Sequence, residues 1–517
     1  MMAPIKRREF IKVAGTAAAM AATSPFTTLR ANNTTKLPNI VFILADDMGY
    51  GDISYLNSDS KIPTPNIDRI GREGTYFSDA HSPSSICTPT RYGIHTGRYC
   101  WRTRITYSVT WGYSRHLIEP ERTTVASLLK QAGYNTGCFG KWHMGMDMMT
   151  RDGKGIQEPD RVVDQRAFLG DIDWTANIQN GPIDVGFDEF YGISASLDMH
   201  PYIWIDGDRF VGECTTEQDL LFNTREAMPK DYGKNMGPSH ADFVAEDIQP
   251  EITRKTVEFI NKQSKDAPFF ACMSLAAPHI PIVPSKAYQG VSDLGPYGDF
   301  CIQIDDDIGK VLGALDKKGL AENTLIVFTS DNGCAPYIGV DAMNRMGHYP
   351  SYVYSGYKAD IYEGGNRVPF LARWPQAIEA GSRSDEIICL TDLLATAAAI
   401  TGQTLPRSAG EDSYNVLSAL LGQPGEQPIR EATISQSVTG GFSVRQGRWK
   451  LELMPSSGGY YRLRPEQVKA QGLPPVQLYD LETDIKESNN VQGEHPEVVA
   501  NLMGLLEKYR TTGRSNF

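Results

Sequence analysis

Pro38-Asn39-Ile40-Val41-Phe42-Ile43-Leu44-Ala45 runs directly into Asp46-Asp47. A short apolar run, β-branched in part and ending on two carboxylates, reads as a strand buried on both faces of a parallel sheet. The same pattern returns at Thr324-Leu325-Ile326-Val327-Phe328-Thr329, which ends at Ser330-Asp331-Asn332, and at Pro268 to Leu275. Helical text separates these runs. Thr64-Pro65 supplies an N-cap and a first-turn proline for a helix through Ile67, Ile70 and Gly71, and Thr75-Tyr76-Phe77 begins another strand. Helices are also predicted over 123–132 and 251–261. Ile304, Ile308, Val311, Leu312 and Leu315 form a helical stripe that Gly319 is placed to cap. Strands alternating with helices predict an α/β fold: a large, mostly parallel mixed sheet sandwiched by helices. In such sheets ligands bind outside the carboxyl ends of the strands. Asp46, Asp47, Asp331 and Asn332 are therefore candidate metal ligands. Either pair alone would read as a turn or helix cap. Their shared position after buried strands favours a site, and their hard oxygen donors suit Ca²⁺ or Mg²⁺.

After the Gly/Pro-rich stretch 422–428 the text changes to short strands, at Thr433-Ile434-Ser435, Phe442-Ser443-Val444, Trp449 to Leu453 and Gln477-Leu478-Tyr479. A last helix after His495-Pro496 carries Val498, Leu502, Leu505 and Leu506 on one face. The expected organisation is an N-terminal segment over 1–35, a main domain over 36–424, and over 425–517 a smaller α+β domain with an antiparallel sheet and one helix.

Lys6-Arg7-Arg8-Glu9-Phe10-Ile11-Lys12, followed by an Ala-rich apolar run from Val13 to Ala22, reads as a twin-arginine export signal. That run is too short to span a bilayer, so the expected partner is the twin-arginine export machinery. The expected location is the periplasm or the exterior, with no stable membrane insertion. A formal net charge of −12 argues against nucleic acid as a partner. An acidic chain acting on an anion needs a locally basic pocket instead. The eight cysteines contain no Cys-x-x-Cys pair, which disfavours a cysteine-built zinc site, and they leave room for one or two disulfides.

Cys87-Thr88-Pro89-Thr90-Arg91, with Thr96-Gly97-Arg98 beyond, sets a cysteine at a helix start and an arginine one turn along the same face. A helix N-terminus would lower the thiol pKa, and the guanidinium beside it suits a tetrahedral anion. In Gly133 to Gly145 (GYNTGCFGKWHMG), Lys141 and His143 alternate, so in an extended segment both face one side. His279 stands between Pro278 and Pro281, and Lys358 opens the segment that continues to Glu363-Gly364-Gly365-Asn366-Arg367.

Together these segments resemble the type I sulfatases, in the arylsulfatase and carbohydrate sulfatase branch. Cys87, Pro89 and Arg91 match the C-x-P-x-R site at which the cysteine is oxidised to formylglycine. The Gly133–Gly145 segment is similar to the family's G-Y-x-T…G-K-W-H-x-G. Asp-Asp, Pro-His, Asp-Asn-Gly, Lys and Glu-Gly-Gly follow in family order. Thr90 and Ile94 are less common choices at their positions. The resemblance is specific over about 36–400 and weaker beyond.

What the resemblance implies is an alkaline phosphatase-like fold, one Ca²⁺ held by Asp46, Asp47, Cys87, Asp331 and Asn332, and formylglycine made from Cys87 by a formylglycine-generating enzyme. Its hydrate would supply the nucleophile. Arg91, Lys141, Lys358 and the metal would hold the sulfuryl oxygens. His279, with Lys358, would protonate the leaving alcohol, and His143 would take a proton as sulfate is released. Ser196 is a further substrate contact, and His200 and His348 are candidates for the organic part of the substrate. Since the twin-arginine route carries folded proteins, oxidation is expected before export.

The expected substrate is a sulfated polysaccharide or oligosaccharide. Tyr92, Trp101, Trp111, Tyr113 and Trp204 are candidates to stack on sugar rings, although most such residues belong to cores. The alternative is a phosphonate or phosphate ester hydrolase of the same superfamily. A glycan-binding protein with a dead site would show a broken nucleophile or metal motif, and both are intact.

Overall fold

A computed structural model describes residues 36–156, 171–223, 236–423 and 425–516; the export motif and its apolar run lie outside them. The main sheet has ten strands. In chain order these are β1 (Asn39–Ala45), β2 (Thr75–Phe77), β3 (Asn135–Lys141), β4 (Glu189–Ile193), β5 (Ile205–Asp206), β6 (Arg209–Phe210), β7 (Phe269–Ser274), β8 (Thr324–Ser330), β9 (Phe370–Arg373) and β10 (Ser382–Ser384). Across the sheet they lie in the order β10-β2-β9-β8-β1-β7-β3-β4-β5-β6. The central five, β8-β1-β7-β3-β4, are all parallel. β9 and the β5–β6 hairpin run antiparallel to their neighbours, so the sheet is mixed only toward its edges.

The helices used below are α1 (Pro65–Arg72), α2 (Cys87–Thr96), α3 (Val125–Gln131), α4 (Ile248–Lys262), α5 (Pro296–Lys318), α6 (Leu393–Thr401) and α7 (Pro496–Thr511). All seven residues of β1 are buried, which explains why its text does not alternate. Val41 and Ile43 share a core with Ile252 and Phe259 of α4 and Ile304 and Ile308 of α5. On the opposite face Ile40 and Phe42 line a small apolar cavity together with Ala397 and Ile400 of α6. Each such apolar side chain contributes roughly 1.5–3 kcal/mol on burial. Gly319 ends α5 at φ 62°, a left-handed value that glycine adopts without steric cost. Thr64 takes the expected N-cap position of α1, but its hydroxyl bonds Asp68 and Ser54 and no first-turn amide.

The C-terminal strands β11 (Thr433–Gln436), β12 (Phe442–Gln446), β13 (Trp449–Glu452) and β14 (Gln477–Asp480) form an antiparallel sheet in sequential order. One face packs Ile434, Val444, Leu451 and Leu478 against Leu502, Leu505 and Leu506 of α7. Tyr99 and Cys389 join the same cluster, and the Ile434 amide donates to the Tyr99 hydroxyl at 3.0 Å. All eight cysteines are free thiols, so none of the disulfides the composition allowed is present. No helix among the described residues is long and apolar enough to cross a membrane.

Candidate active site

Three parallel strands end together and turn their last residues toward one point. β1 delivers Asp46 and Asp47, β8 delivers Asp331 and Asn332, and β3 delivers Lys141. The Asp331 amide donates to the Ala45 carbonyl, and the Asp47 amide to Asp331 Oδ1 at 3.2 Å. Asp47 takes φ 67°, a left-handed value costly for a side chain with a Cβ. His143 (φ 60°) and Ala359 (φ 78°), beside Lys358, do the same. Such strain gathers where surrounding structure enforces it, often at functional sites.

Each carboxylate is tied to a buried cation. Lys141 Nζ donates to Asp46 Oδ2 and Lys358 Nζ to Asp47 Oδ2, both at 2.7 Å. Arg91 donates from Nε to Asp331 Oδ2 at 2.9 Å and from Nη1 to both Ser274 Oγ and the Lys141 carbonyl. This changes the reading of Arg91: its donors face protein acceptors, so it orients Asp331 rather than presenting a free fork to an anion.

Two oxygens remain. Asp46 Oδ1 and Asn332 Oδ1 are buried with no hydrogen-bond partner; Asn332 spends its Nδ2 on Asp47 Oδ1 at 2.7 Å. Buried acceptors left without donors are costly, and hard oxygens pointing into one space fit a calcium-like cation. Ligand atoms of Asp46, Cys87 and Asp331 lie within 4.8 Å of one another, as do those of Asp46, Asp47 and His279. Burial drives the Asp331 carboxyl up to about 7, and the adjacent Asp46 charge adds to it. Asp46 stays well below the usual range because Lys141, His279 and Arg91 outweigh the cost of its burial. Two crowded carboxylates are what a divalent cation would relieve.

Cys87 opens α2 and is buried. Its thiol is not acidified as the helix position suggested. Burial pushes it up to about 11, against Lys141 and Lys358, while Asp46 and Asp331 reinforce the rise. A helix N-terminus does not overcome desolvation beside two carboxylates.

The extended segment assumed for Lys141 and His143 ends at Lys141, and the chain turns at His143 (φ 60°), yet Lys141 and Asp46 both lie within electrostatic reach of the His143 ring. Thr88 and Thr110 hydroxyls donate to the His143 carbonyl at 2.9 and 3.1 Å. His143 Nε2 lies 2.9 Å from the Thr110 carbonyl; a carbonyl only accepts, so Nε2 carries the proton and Nδ1, without a partner, keeps its lone pair. Burial and the nearby Lys141 and Arg91 hold this imidazole well below its ordinary pKa, hence neutral. His279 Nδ1 donates to the Ile280 carbonyl at 2.7 Å, leaving Nε2 3.7 Å from Asp47 Oδ2. Ser196 Oγ is buried without a partner.

Two expected contacts are built differently. His348 is buried, with Nε2 2.9 Å from Asp52 and Nδ1 accepting the Lys61 amide. With both nitrogens engaged it braces the loop after β1 and offers nothing to a ligand. His200 packs between Tyr113 and Tyr202 and beside Gly237, where any Cβ would meet its ring within 2.1 Å. Among the proposed stacking aromatics, Tyr92 and Tyr113 are core residues, and Trp204 lies against Tyr191 and Trp101 against Tyr99. Sequence reasoning missed Tyr337 and Tyr460, whose rings meet at 6.1 Å between centroids. Nothing in their local text marks them.

A parallel sheet that gathers buried carboxylates, their paired cations and a cysteine at one end suits a site for a tetrahedral anionic ester. Comparison with known proteins makes the class specific. The sulfatase family model matches residues 38–403. The chain is 33% identical over 504 residues to the N-acetylgalactosamine-6-O-sulfatase of Bacteroides thetaiotaomicron, covering 92% of this chain and 93% of that one. It is 30% identical over 496 residues to human arylsulfatase A, covering 90% and 87%. A solved structure described as part of glycosaminoglycan metabolism by Bacteroides thetaiotaomicron superposes with a TM-score of 0.77 at 31% identity, covering 92% of this chain and all of the other. The chain belongs to the sulfatase family and is a sulfuric ester hydrolase.

Proposed function

We propose that this sulfatase removes sulfate from a sulfated polysaccharide or oligosaccharide, using formylglycine made from Cys87 beside a bound Ca²⁺. The observation that carries the reading is the Cys87 sulfur, buried within 4.8 Å of the Asp46 and Asp331 ligand atoms. When present, the aldehyde as its hydrate would supply the attacking oxygen, and the cation would supply Lewis acidity. Asp46, Asp47, Asp331, Asn332 and residue 87 would hold the cation.

The chain's own groups do the rest. Lys141 and Lys358, each now on one carboxylate oxygen, neutralise charge on the sulfuryl oxygens. Arg91 positions Asp331. His143 Nδ1 accepts a proton as sulfate departs, its tautomer set by the Thr110 carbonyl. In its doubly protonated form, with Nδ1 held by the Ile280 carbonyl, His279 gives its Nε2 proton to the departing alkoxide beside Lys358. Ser196 Oγ contacts the anion. The sulfated amino sugar in the name of the 33%-identical relative is the first substrate to test. The N-terminal twin-arginine motif supports export to the periplasm or beyond after oxidation by a formylglycine-generating enzyme.

Mass spectrometry of the peptide containing residue 87, together with sulfate release from a panel of sulfated mono- and oligosaccharides, tests the proposal. An aldehyde at 87 and release from at least one sugar are expected. An intact thiol in fully active protein would overturn the mechanism. Activity confined to phosphate or phosphonate esters would overturn the substrate class.

A further inference from the structure

Lys358 is hemmed in by two tyrosines from distant parts of the chain. Tyr337 follows the β8 ligands by a few residues and is partly buried. Tyr460 belongs to the C-terminal part, between β13 and β14, and keeps 41% of its surface open. Their rings are tilted by 46° with centroids 6.1 Å apart. The loop carrying Tyr460 is stapled to the loop carrying Lys358. The Ile361 amide donates to the Ser457 carbonyl at 2.7 Å, and the Thr439 hydroxyl to the Gly458 carbonyl at 3.0 Å. Gly459 sits so close to Asp360 that a Cβ would come within 1.9 Å of its carboxylate. On the other side the Lys358 amide donates to the Cys334 carbonyl at 2.8 Å, three residues before Tyr337. Lys358, Cys87, Asp47 and Asp198 all lie within electrostatic reach of the Tyr460 phenol. Tyr337 also borders an open groove of about 690 Å³ with Ile282, Val283 and Pro284, which follow His279 in sequence. That volume is enough for a sugar unit.

We propose that Tyr337 and Tyr460 form an aromatic wall at the mouth of the Cys87 pocket, which stacks on the apolar face of the pyranose ring carrying the sulfate. This rests on the carbohydrate substrate proposed above. A pyranose presents C–H groups on one face and hydroxyls at its rim. A partly open ring held rigidly beside the cation that grips the sulfate can take that face at little entropic cost. The wall also gives the C-terminal part a share in substrate choice, because Tyr460 reaches the site only if that part is docked.

The test uses the full-length enzyme and the sulfated sugar that the parent cleaves best. Tyr460→Ala and Tyr337→Ala are each expected to raise KM about three- to ten-fold, the range for a lost aromatic contact, with kcat changed less. Tyr460→Phe should restore the parental KM. Inhibition by inorganic sulfate should keep its parental constant in all three, since the anion pocket is intact. Parental KM values in both alanine variants would overturn the wall. So would a Tyr460→Phe variant as weak as Tyr460→Ala, which would assign the effect to the hydroxyl. A parent that releases sulfate from aryl sulfates but binds no sulfated sugar by calorimetry would overturn the carbohydrate reading and the wall with it.

Discussion

Two buried ionic clusters lie in this molecule and have opposite characters. The first gathers Asp46, Asp47 and Asp331 with Arg91, Lys141 and Lys358 at the carboxyl ends of the central strands. The second gathers Asp79, His81, Glu363, Glu452 and Glu487 with Arg367, Arg445 and Lys450, where β12 and β13 meet the Glu363–Asn366 turn. In both, three acidic or imidazole groups stand close enough to share an ion. In the second the place is taken. Arg367 pairs with both Asp79 and Glu363, and Lys450 lies 2.7 Å from Glu487 and 3.1 Å from Glu363. The second cluster's unbonded oxygens, Glu363 Oε1 and Glu452 Oε1, still have Lys450 at 3.1 and 3.5 Å, whereas in the first Asn332 Oδ1 has no donor and Asp46 Oδ1 has only the Arg91 guanidinium, 3.6 Å away. Carboxylate density therefore does not distinguish a site from a staple. What distinguishes them is whether the protein's own cations close the cluster.

The contrast is broken or sharpened by five measurements. Cys87→Ala should abolish sulfate release, by roughly four orders of magnitude or more, while its thermal midpoint stays near the parent's. Hydrolysis at the parental rate would dissolve the distinction at once. Lys450→Met, in the second cluster, should do the reverse. It removes the cation shared by Glu363, Glu452 and Glu487, leaving Glu363 to Arg367, and should cost about 3–5 kcal/mol in urea unfolding, with kcat per folded molecule nearly unchanged. If kcat collapsed without loss of stability, the second cluster would be part of the chemistry. Lys358→Ala should lower kcat/KM by about 10²–10³ and weaken inhibition by inorganic sulfate, because this ammonium is counted as an anion contact.

Treatment with EGTA should remove activity, restored by Ca²⁺, and destabilise the fold by about 2–4 kcal/mol if the cation is held well below its working concentration. An unaltered unfolding curve with full activity would remove the metal from the account. The smallest effect is in pH. Burial holds His81 and His143 below the ordinary histidine value and His95, packed on Trp142, down at about 3. A histidine lowered in the folded state favours folding above its unfolded pKa of about 6.5, and that stability is lost as pH falls below it. Each such group steepens the acid limb by about 1.4 kcal/mol per pH unit. His95→Gln should flatten that limb by one proton between pH 6.5 and 3, read from urea midpoints. An unchanged slope would mean His95 takes up its proton in the folded state.

The strands β1, β7 and β8, the long helix α5 with its Gly319 end, and the C-terminal hairpins were legible because burial on both faces, a 3.6-residue stripe and alternation each leave a local periodic mark. The meeting of Asp46, Asp47, Asp331 and Asn332 was legible because sites in parallel sheets form at the carboxyl ends of the strands. Errors came where a side chain's partner is remote in sequence. His348 looked available until Asp52 was found against it, and Arg91 looked free until Asp331, Ser274 and the Lys141 carbonyl claimed its donors.

By itself, the sequence determined the layered parallel sheet, the convergence of Asp46, Asp47, Asp331 and Asn332, and the place of Cys87 at a helix start, since these follow from local pattern and motif order. Only the tertiary structure decided the ionisation of that thiol, the tautomer of His143, the closure of one ionic cluster but not the other, and the meeting of Tyr337 with Tyr460. Desolvation and hydrogen-bond satisfaction depend on everything packed around a group, and in a sheet protein most of those neighbours come from distant parts of the chain.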